Sequence, residues 1–551
     1  MNETLRRAIA PFGFDDELLE LAAAAFEEVG PAWRKRDAQA AAVGAKVIAC
    51  FARAGLHEAH FSGTTGYGYH DSARDAYESL LATCLDAQAC YARLQLISGT
   101  HAIVAAINAL LGPSGRLCSV TGAPYDTLRL ALAQPLLVSS SGSDERYSEV
   151  ALQDDGSLDE YGINHALARL PDVVFVQRSR GYAPRPALGI GDIERIVRLV
   201  RNAAPAAIIV VDNCYGEFVE EREPTAVGVD LIIGSLIKNP GGGLAPAGAY
   251  IAGRPELLDA IACAIVAPGL GRNVGPTLDT PRLFFAGLHR APKVVAESLK
   301  IMDFAAALFA KLGYQVDPQP GAARYDIIQA INLGEPGKLV AFAHGLQTML
   351  PVNARARPEP GPVPGYDDPV VMAAGSFING STIELSCDAP MRPPFTVYLQ
   401  GGMDATHGVI AVLAAARAVR DRHSAGRGVP YANSPQDMAE NLQRRQYVRT
   451  VVSLPVTFTL ENNGGRHEGA VVDLGEGGMR LVSDKHAPAR STVRLAFTLD
   501  GGHEIRARGR VVLSYYSAPE QKYHHGVAFT SIDRDDRSAI AHFVQSQVAS
   551  S

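Results

Sequence analysis

Gly234-Ser235-Leu236-Ile237-Lys238-Asn239-Pro240-Gly241-Gly242-Gly243 sets one lysine on a turn, between an apolar run and a glycine-rich stretch. The run before it, Val229 to Ile233, is broken only by Asp230 and predicts a buried strand. The proline and three glycines after it cannot continue regular structure and let backbone pass close to a ligand. A lysine in that setting loses solvent, which lowers an ammonium pKa and frees the amine to attack a carbonyl. Taken alone, the stretch reads equally as a strand-capping lysine over a glycine turn.

Upstream, Ala206 to Val211 predicts a second apolar strand, ending on Asp212-Asn213-Cys214-Tyr215-Gly216-Glu217. Open α/β sheets bind ligands at the carboxyl ends of their strands, where Asp212 falls. Lys238 follows by about one strand-to-strand repeat. An acid and a lysine at neighbouring strand ends are what pyridoxal phosphate requires: the lysine forms a Schiff base, and the carboxylate keeps the pyridine nitrogen protonated.

The chain has 551 residues, enough for several domains, with 47% hydrophobic and 20% charged residues, ordinary for a globular protein. A net charge of −7 exerts no pull towards a nucleic acid polymer or an anionic membrane. Seven scattered cysteines, with no C-x-x-C pair, fit reduced thiols better than a disulfide or metal framework. No signal core or bilayer-length apolar stretch is apparent, so a cytoplasmic protein is expected.

Residues 1–60 predict a helical lead-in, in helices from Glu17 to Val29 and Ala38 to Arg53. Phe61 to Asp71 is a glycine–tyrosine loop. Residues 61–276 alternate strands and helices, predicting a large α/β domain with a parallel-rich sheet. Within it, Ser98-Gly99-Thr100-His101 opens a helix and presents backbone N–H groups and hydroxyls, a ready phosphate site that is also an ordinary N-cap. Residues 277–420 predict a smaller α+β domain, with a long helix from Pro281 and a strand at Ser381 to Ser386. Residues 421–441 read as a linker. Residues 442–551 hold six short strands and a closing helix, a small β-barrel.

Four blocks in order carry a family resemblance: Ser98-Gly99-Thr100-His101, Thr121 to Asp126, Val211 to Glu217 and Ser235 to Gly243. The chain resembles the methionine gamma-lyase family, also called aluminium-resistance proteins, from about Phe61 to Leu413. These are fold-type I pyridoxal phosphate enzymes related to cystathionine lyases. The resemblance implies Lys238 as the Schiff-base lysine and proton shuttle, and Asp212 as partner of the ring nitrogen. It implies Ser98, Gly99, Thr100 and Ser235 around the phosphate, Tyr125 stacked on the ring, and Tyr67 reaching the phosphate of a neighbouring subunit in a homodimer or homotetramer. Arg392, in Ala389-Pro390-Met391-Arg392-Pro393-Pro394, is the candidate for the substrate carboxylate, since a guanidinium grips a carboxylate bidentately. Arg178 and Arg180 compete with it. The implied activity is carbon–sulfur lysis of a sulfur-containing amino acid. An aminotransferase, or an idle scaffold for signalling, is the alternative.

In the last hundred residues, Arg444-Arg445-Gln446-Tyr447-Val448-Arg449 precedes the first barrel strand, and Asp473-Leu474-Gly475-Glu476-Gly477-Gly478 lies in a turn. The arrangement resembles the PilZ domain, which binds cyclic di-GMP through R-x-x-x-R and [D/N]-x-S-x-x-G. Arg445 and Arg449 fill the first motif, with Arg444 beside them. Asp473 and Gly478 fit the second, and Gly475 stands where serine is expected. Arginine suits such a ligand because it clasps phosphate and stacks on purines. His57-Glu58-Ala59-His60 lacks the i, i+4 spacing of a zinc helix. His524-His525 reads as a surface pair.

Overall fold

The computed structural model describes residues 6–7, 9–112, 114–133, 146–363, 366, 368–424, 449–460, 465–488, 491–499, 502–517 and 522–549. The chain divides into two compact units, Met1–Gly428 and Val429–Ser551. Linker 421–441 lies almost wholly outside the described residues, as do Arg444 and Arg445.

The first unit is built on a seven-stranded sheet of β1 (Ala89–Arg93), β2 (Leu117–Ser119), β3 (Tyr147–Glu149), β4 (Val173–Gln177), β5 (Ile208–Asp212), β6 (Leu231–Ser235) and β7 (Ala249–Gly253). Their spatial order is β1-β7-β6-β5-β4-β2-β3. The strands from β6 to β3 in that order are parallel, while β7 pairs antiparallel with β6 and with β1. Strands β4 and β6 are buried at every position. They are therefore apolar up to their last residues, Gln177 and Ser235, rather than alternating, because helices cover both faces. Two large apolar clusters, one on each face, meet through this sheet.

A second sheet, entirely antiparallel, comprises β8 (Gln315–Asp317), β9 (Ile328–Asn332), β10 (Val370–Ala374), β11 (Ser386–Pro390) and β12 (Thr396–Gln400), in the order β10-β11-β12-β9-β8. The strand expected at Ser381 to Ser386 is displaced: the ladder starts only at Ser386. Ile383 and Leu385 are buried as the pattern demands. The backbone there meets Gly401 instead, whose absent Cβ would lie 2.3 Å from the Thr382 carbonyl and 2.7 Å from that of Glu384.

The long helix Pro281–Lys311 links the two sheets and packs against Asp16–Ala54. That N-terminal helix is continuous through Pro31, where two helices were expected. One apolar stripe (Leu18, Ala22, Ala25, Val29, Val43, Val47, Cys50) runs across the proline and stays buried, so packing outweighs the missing backbone donor. Trp33 Nε1 donates to the Lys300 carbonyl at 3.0 Å and ties the pair together.

In the second unit, β13 (Arg449–Leu460), β14 (Arg466–Gly475), β15 (Gly478–Ser483), β16 (Thr492–Thr498), β17 (Glu504–Ser517) and β18 (Lys522–Ile532) close a barrel, followed by the helix Arg534–Ala549. The expected fold class is thus observed: a parallel-rich α/β domain, a smaller α+β domain and a β-barrel. One correction concerns His524-His525. Both lie buried within β18 rather than on the surface. His525 Nδ1 meets Ser514 Oγ at 3.0 Å and its Nε2 lies 3.1 Å from the Lys485 carbonyl, so local partners satisfy the ring inside the wall. No helix among the described residues is long and apolar enough to cross a membrane.

Candidate active site

Strands β5 and β6 are parallel neighbours, with Asp212 opposite Ile233. Asp212 therefore ends one strand beside the turn that carries Lys238 from the next. Asp212 Oδ1 accepts from the Cys214 amide at 3.1 Å, a local turn that holds the carboxylate at the strand end. Lys238 Nζ sits over the Tyr215 ring, 3.8 Å from its centroid. Tyr215 adopts a left-handed φ of 72°, a costly conformation for a residue with a large side chain, and one that concentrates at functional sites.

The helix Gly99–Leu111 points its N-terminus at the same place. Ser98 caps it, accepting from the His101 amide at 3.0 Å. A Cβ on Gly99 would lie 3.3 Å from Cys214 Sγ and 3.6 Å from Ser235, so glycine keeps open the narrow space between helix end and strand end. Thr100 Oγ1 and the Tyr125 hydroxyl are 2.7 Å apart, and Tyr125 N donates to Gln177 Oε1 at 2.9 Å. Ser98, Gly99, Thr100, Tyr125, Asp212, Ser235 and Lys238 thus come together from four chain segments. Backbone amides at a helix end, hydroxyls and a glycine are groups suited to holding a phosphate.

The charge state of Lys238 differs from expectation. Burial does pull its ammonium down, but Cys214, Tyr215, Asp212 and Tyr125 crowd it and pull it up, and the net direction is well above the ordinary lysine value. Asp212 moves up as well, because burial penalises its charge more than Lys238 relieves it. The sequence expectation counted desolvation and could not count the anionic and phenolic neighbours.

Beneath the turn lies a buried polar network. Tyr250 donates to Glu217 Oε1 at 2.9 Å, and Asn239 Nδ2 donates to the Glu217 carbonyl at 2.9 Å. Gly234 makes room for it, since a Cβ there would fall 2.5 Å from Glu217 Oε1. Burial, aided by Glu223, pushes the Glu217 carboxyl up to about 8. A folded carboxyl that holds its proton longer than the unfolded one, whose pKa is about 4.3, makes stability fall as pH rises through that window. We expect Glu217→Gln to flatten this slope between about pH 4.3 and about 8, measured by denaturant midpoints across pH.

The three candidate arginines separate. Arg178 is wholly buried and engaged with Asn213 Oδ1 (2.7 Å) and Glu220 (2.8 Å), with Glu223 at 3.5 Å. Arg180 is buried against Asp317 at 2.7 Å. Both are engaged with carboxylates of the fold. Arg392 follows β11, with its side chain 43% exposed and 3.5 Å from Asp368. Burial raises the Tyr398 phenol, and the Arg180 and Arg392 guanidiniums counter it. The Tyr398 ring stacks on Tyr182, 5.4 Å away, and Tyr182 and Tyr215 pack on the same apolar cluster. Lys238 Nζ lies over Tyr215, so this tyrosine cluster adjoins the lysine. Tyr67 is 74% exposed on its loop, its carbonyl accepting from Gly275 at 2.9 Å.

Sequence reasoning missed Tyr215, Tyr182 and Asp388. Asp388 is buried on β11, accepts from Gln400 at 2.7 Å, and is raised by burial against the pull of Tyr182, Gln400 and Lys238. An aspartate in an otherwise apolar strand was the available signal.

In the barrel, strand register assembles the second candidate site. Arg449 pairs with Gly475, and Gly475 with Gly478 across a tight turn. Asp473 lies between Val451 on one side and Arg480 on the other. The Arg449 backbone is thereby brought to the corner that holds Asp473, Gly475 and Gly478, while Arg444 and Arg445 lie outside the described residues.

The sequence profile of the methionine gamma-lyase family matches residues 18–420, and that of the PilZ domain residues 443–546. YnbB of Bacillus subtilis, a protein of uncharacterized function, is 41% identical over 371 residues, covering 66% of this chain and 87% of YnbB. A carbon–sulfur lyase involved in aluminium resistance from Clostridium novyi is similar in structure with a TM-score of 0.71 and 36% identity, over 76% of this chain and 100% of that one. A candidate cystathionine beta-lyase involved in aluminium resistance from Listeria monocytogenes gives 0.70 and 40%, over 73% and 100%. With these relatives matched almost end to end by the first unit, and the six-stranded barrel behind it, the chain belongs to the methionine gamma-lyase family and carries a C-terminal PilZ domain.

Proposed function

We propose that the protein is a pyridoxal phosphate-dependent carbon–sulfur lyase acting on a sulfur-containing amino acid, with a cyclic di-GMP-binding barrel. The observation that carries the first part is the meeting of Lys238 and Asp212 on adjacent parallel strands, opposite the Ser98-capped helix end and Ser235. The residues present fit the cofactor: Gly99 leaves a cradle that a Cβ would narrow, and the buried carboxyl of Asp212 calls for a cationic partner.

Lys238 would hold the cofactor covalently, Asp212 its ring nitrogen, Gly99, Thr100 and Ser235 its phosphate, and Tyr125 a ring face. Tyr67, exposed on one copy, would reach the cradle of a second copy. When bound, pyridoxal phosphate supplies an electron-accepting ring that makes the substrate α-proton acidic. With Asp212 engaged by a cationic ring nitrogen, Lys238 loses one of the groups that hold its ammonium, and burial then favours the free amine. Lys238 Nζ takes the α-proton, a base role that improves as its pKa approaches the working pH. Arg392 holds the substrate α-carboxylate, and the Tyr215 ring walls the site beside Lys238. Purified protein incubated with cystathionine or methionine should release keto acid together with thiol. Transfer of the amine without thiol would instead mark an aminotransferase, and no product from either would sink the lyase reading.

For the barrel, Arg445, Arg449 and Asp473 would hold cyclic di-GMP. Gly475 lies outside the left-handed backbone region, so a serine fits its conformation. We expect Gly475→Ser to tighten cyclic di-GMP binding by roughly two- to tenfold, one hydroxyl contact of about 0.5–1.5 kcal/mol, measured by calorimetry. Equal affinity in both proteins would show that the missing serine is immaterial.

A further inference from the structure

Away from Lys238, a cavity of about 640 Å³ opens between the N-terminal helix Asp16–Ala54, the start of the helix Ile190–Ala203 and the segment before β9. Its size lies within the usual range for small-molecule sites. Four cationic side chains line it (Lys35, Arg36, Arg222 and Arg324) against two carboxylates, Glu220 and Glu221. Glu220 is already engaged by Arg178 and by the Ile190 amide at 3.0 Å.

The floor carries an unusual imbalance. Arg36 and Arg324 are both buried, at 6% and 4% exposure, and share one carboxylate: Asp303 lies 3.2 Å from the first and 2.5 Å from the second. Asp326 adds a second carboxylate that acts on Arg324, so what the floor leaves over is hydrogen-bonding capacity rather than net charge. Asp326, which also acts on Arg324, already accepts from the Arg180 and Ile328 amides. Gln329 takes Arg324 Nη2 at 2.6 Å, but Nη1 is buried without a hydrogen-bond partner among the described residues. At the rim, Lys35 and Arg222 are exposed and likewise have no hydrogen-bond or ion-pair partner among the described residues. The Tyr325 ring, packed where a Cβ on Gly189 would fall 2.7 Å away, supplies an apolar wall.

We propose that this cavity is a second ligand site, taking a small phosphorylated molecule whose phosphate meets Lys35, Arg222 and Arg324. Multiple cations suit a multiply charged phosphate better than a single carboxylate, which one arginine satisfies. The volume leaves room beside Tyr325 for the rest of such a molecule.

The test uses the full chain saturated with pyridoxal phosphate, so that the Ser98–Ser235 cradle is filled. Titration calorimetry with inorganic pyrophosphate is run on wild type and on the double variant Lys35→Gln, Arg222→Gln, with citrate as a parallel probe. Both substituted residues are exposed and far in role from the Lys238 cluster, so the visible cofactor band should not change. We expect pyrophosphate to bind wild type and to lose at least tenfold in affinity in the variant. No binding, equal binding in the variant, or citrate binding as tightly as pyrophosphate would overturn the proposal. A chain that retains no pyridoxal phosphate would refute the lyase reading separately. The wild-type-to-variant difference would still report on this cavity, because neither residue belongs to the cradle.

Discussion

Lys238→Ala should lose at least about 10³-fold in kcat/KM, together with the visible absorption band of the lysine-bound cofactor. The size follows from the number of roles that one amine carries in the proposed reaction. It anchors the cofactor, and it moves the α-proton. Nothing beside it can substitute, because its near neighbours Cys214, Tyr215, Asp212 and Tyr125 offer no second amine. The fold should survive, since truncation leaves the strand β6 and the glycine turn after it untouched. Visible spectra of wild type and variant after incubation with pyridoxal phosphate, followed by thiol release, check both halves. A variant that keeps the band and the activity would remove Lys238 from the chemistry. A wild type with no band would remove the cofactor.

Arg178→Ala should destabilise the first unit by about 3–5 kcal/mol, the range for leaving a buried charge without its partner. Arg178 is 0% exposed. It donates to Asn213 Oδ1 at 2.7 Å and Glu220 Oε2 at 2.8 Å and lies 3.5 Å from Glu223. Its guanidinium also fills the space over Gly216, where a Cβ would fall 2.6 Å from the arginine side chain. Removing it leaves the buried carboxyl of Glu223 facing a void. The same change at Arg195, paired with Glu160 on the surface at 2.6 Å with both partners over 40% exposed, should cost no more than about 1 kcal/mol. Denaturant midpoints for the two variants, at unchanged slope, measure the contrast. A small effect at Arg178 would mean that water or a repacked neighbour takes over its contacts. Because Asn213 follows Asp212 directly, Arg178→Ala should also weaken cofactor retention, a readout that Arg195→Ala should leave alone.

Much of the architecture was legible in the chain. The apolar runs at 229–233 and 206–211 predicted β6 and β5 to within two or three residues, because strands buried on both faces are apolar along nearly their whole length. The barrel strands were legible from short runs between glycine turns, and the long helix from Pro281 to Leu312 by its length. What was missed was decided by contacts between distant segments. β1 and β7 enter the sheet antiparallel, and no local feature of Ala89–Arg93 announces a partner at Ala249–Gly253. The N-terminal helix crosses Pro31 because the Pro281–Lys311 helix supports both sides of it. His524 and His525 look like surface residues until Ser514 and the Lys485 carbonyl are found beside the second of them.

At the candidate site the division is the same. A lysine and an aspartate ending neighbouring strands, and a Ser-Gly-Thr helix start suited to phosphate, could be read along the chain, since these depend on local patterning and on the regular spacing of strand ends. That Lys238 rests on Tyr215, crowded by Asp212, Cys214 and Tyr125, came only with folding. Folding likewise ties Arg178 to Asn213, next to Asp212, and leaves Arg392 partly exposed. A side chain's charge state and partners depend on burial and on neighbours contributed by other strands, and those exist only once the chain has folded.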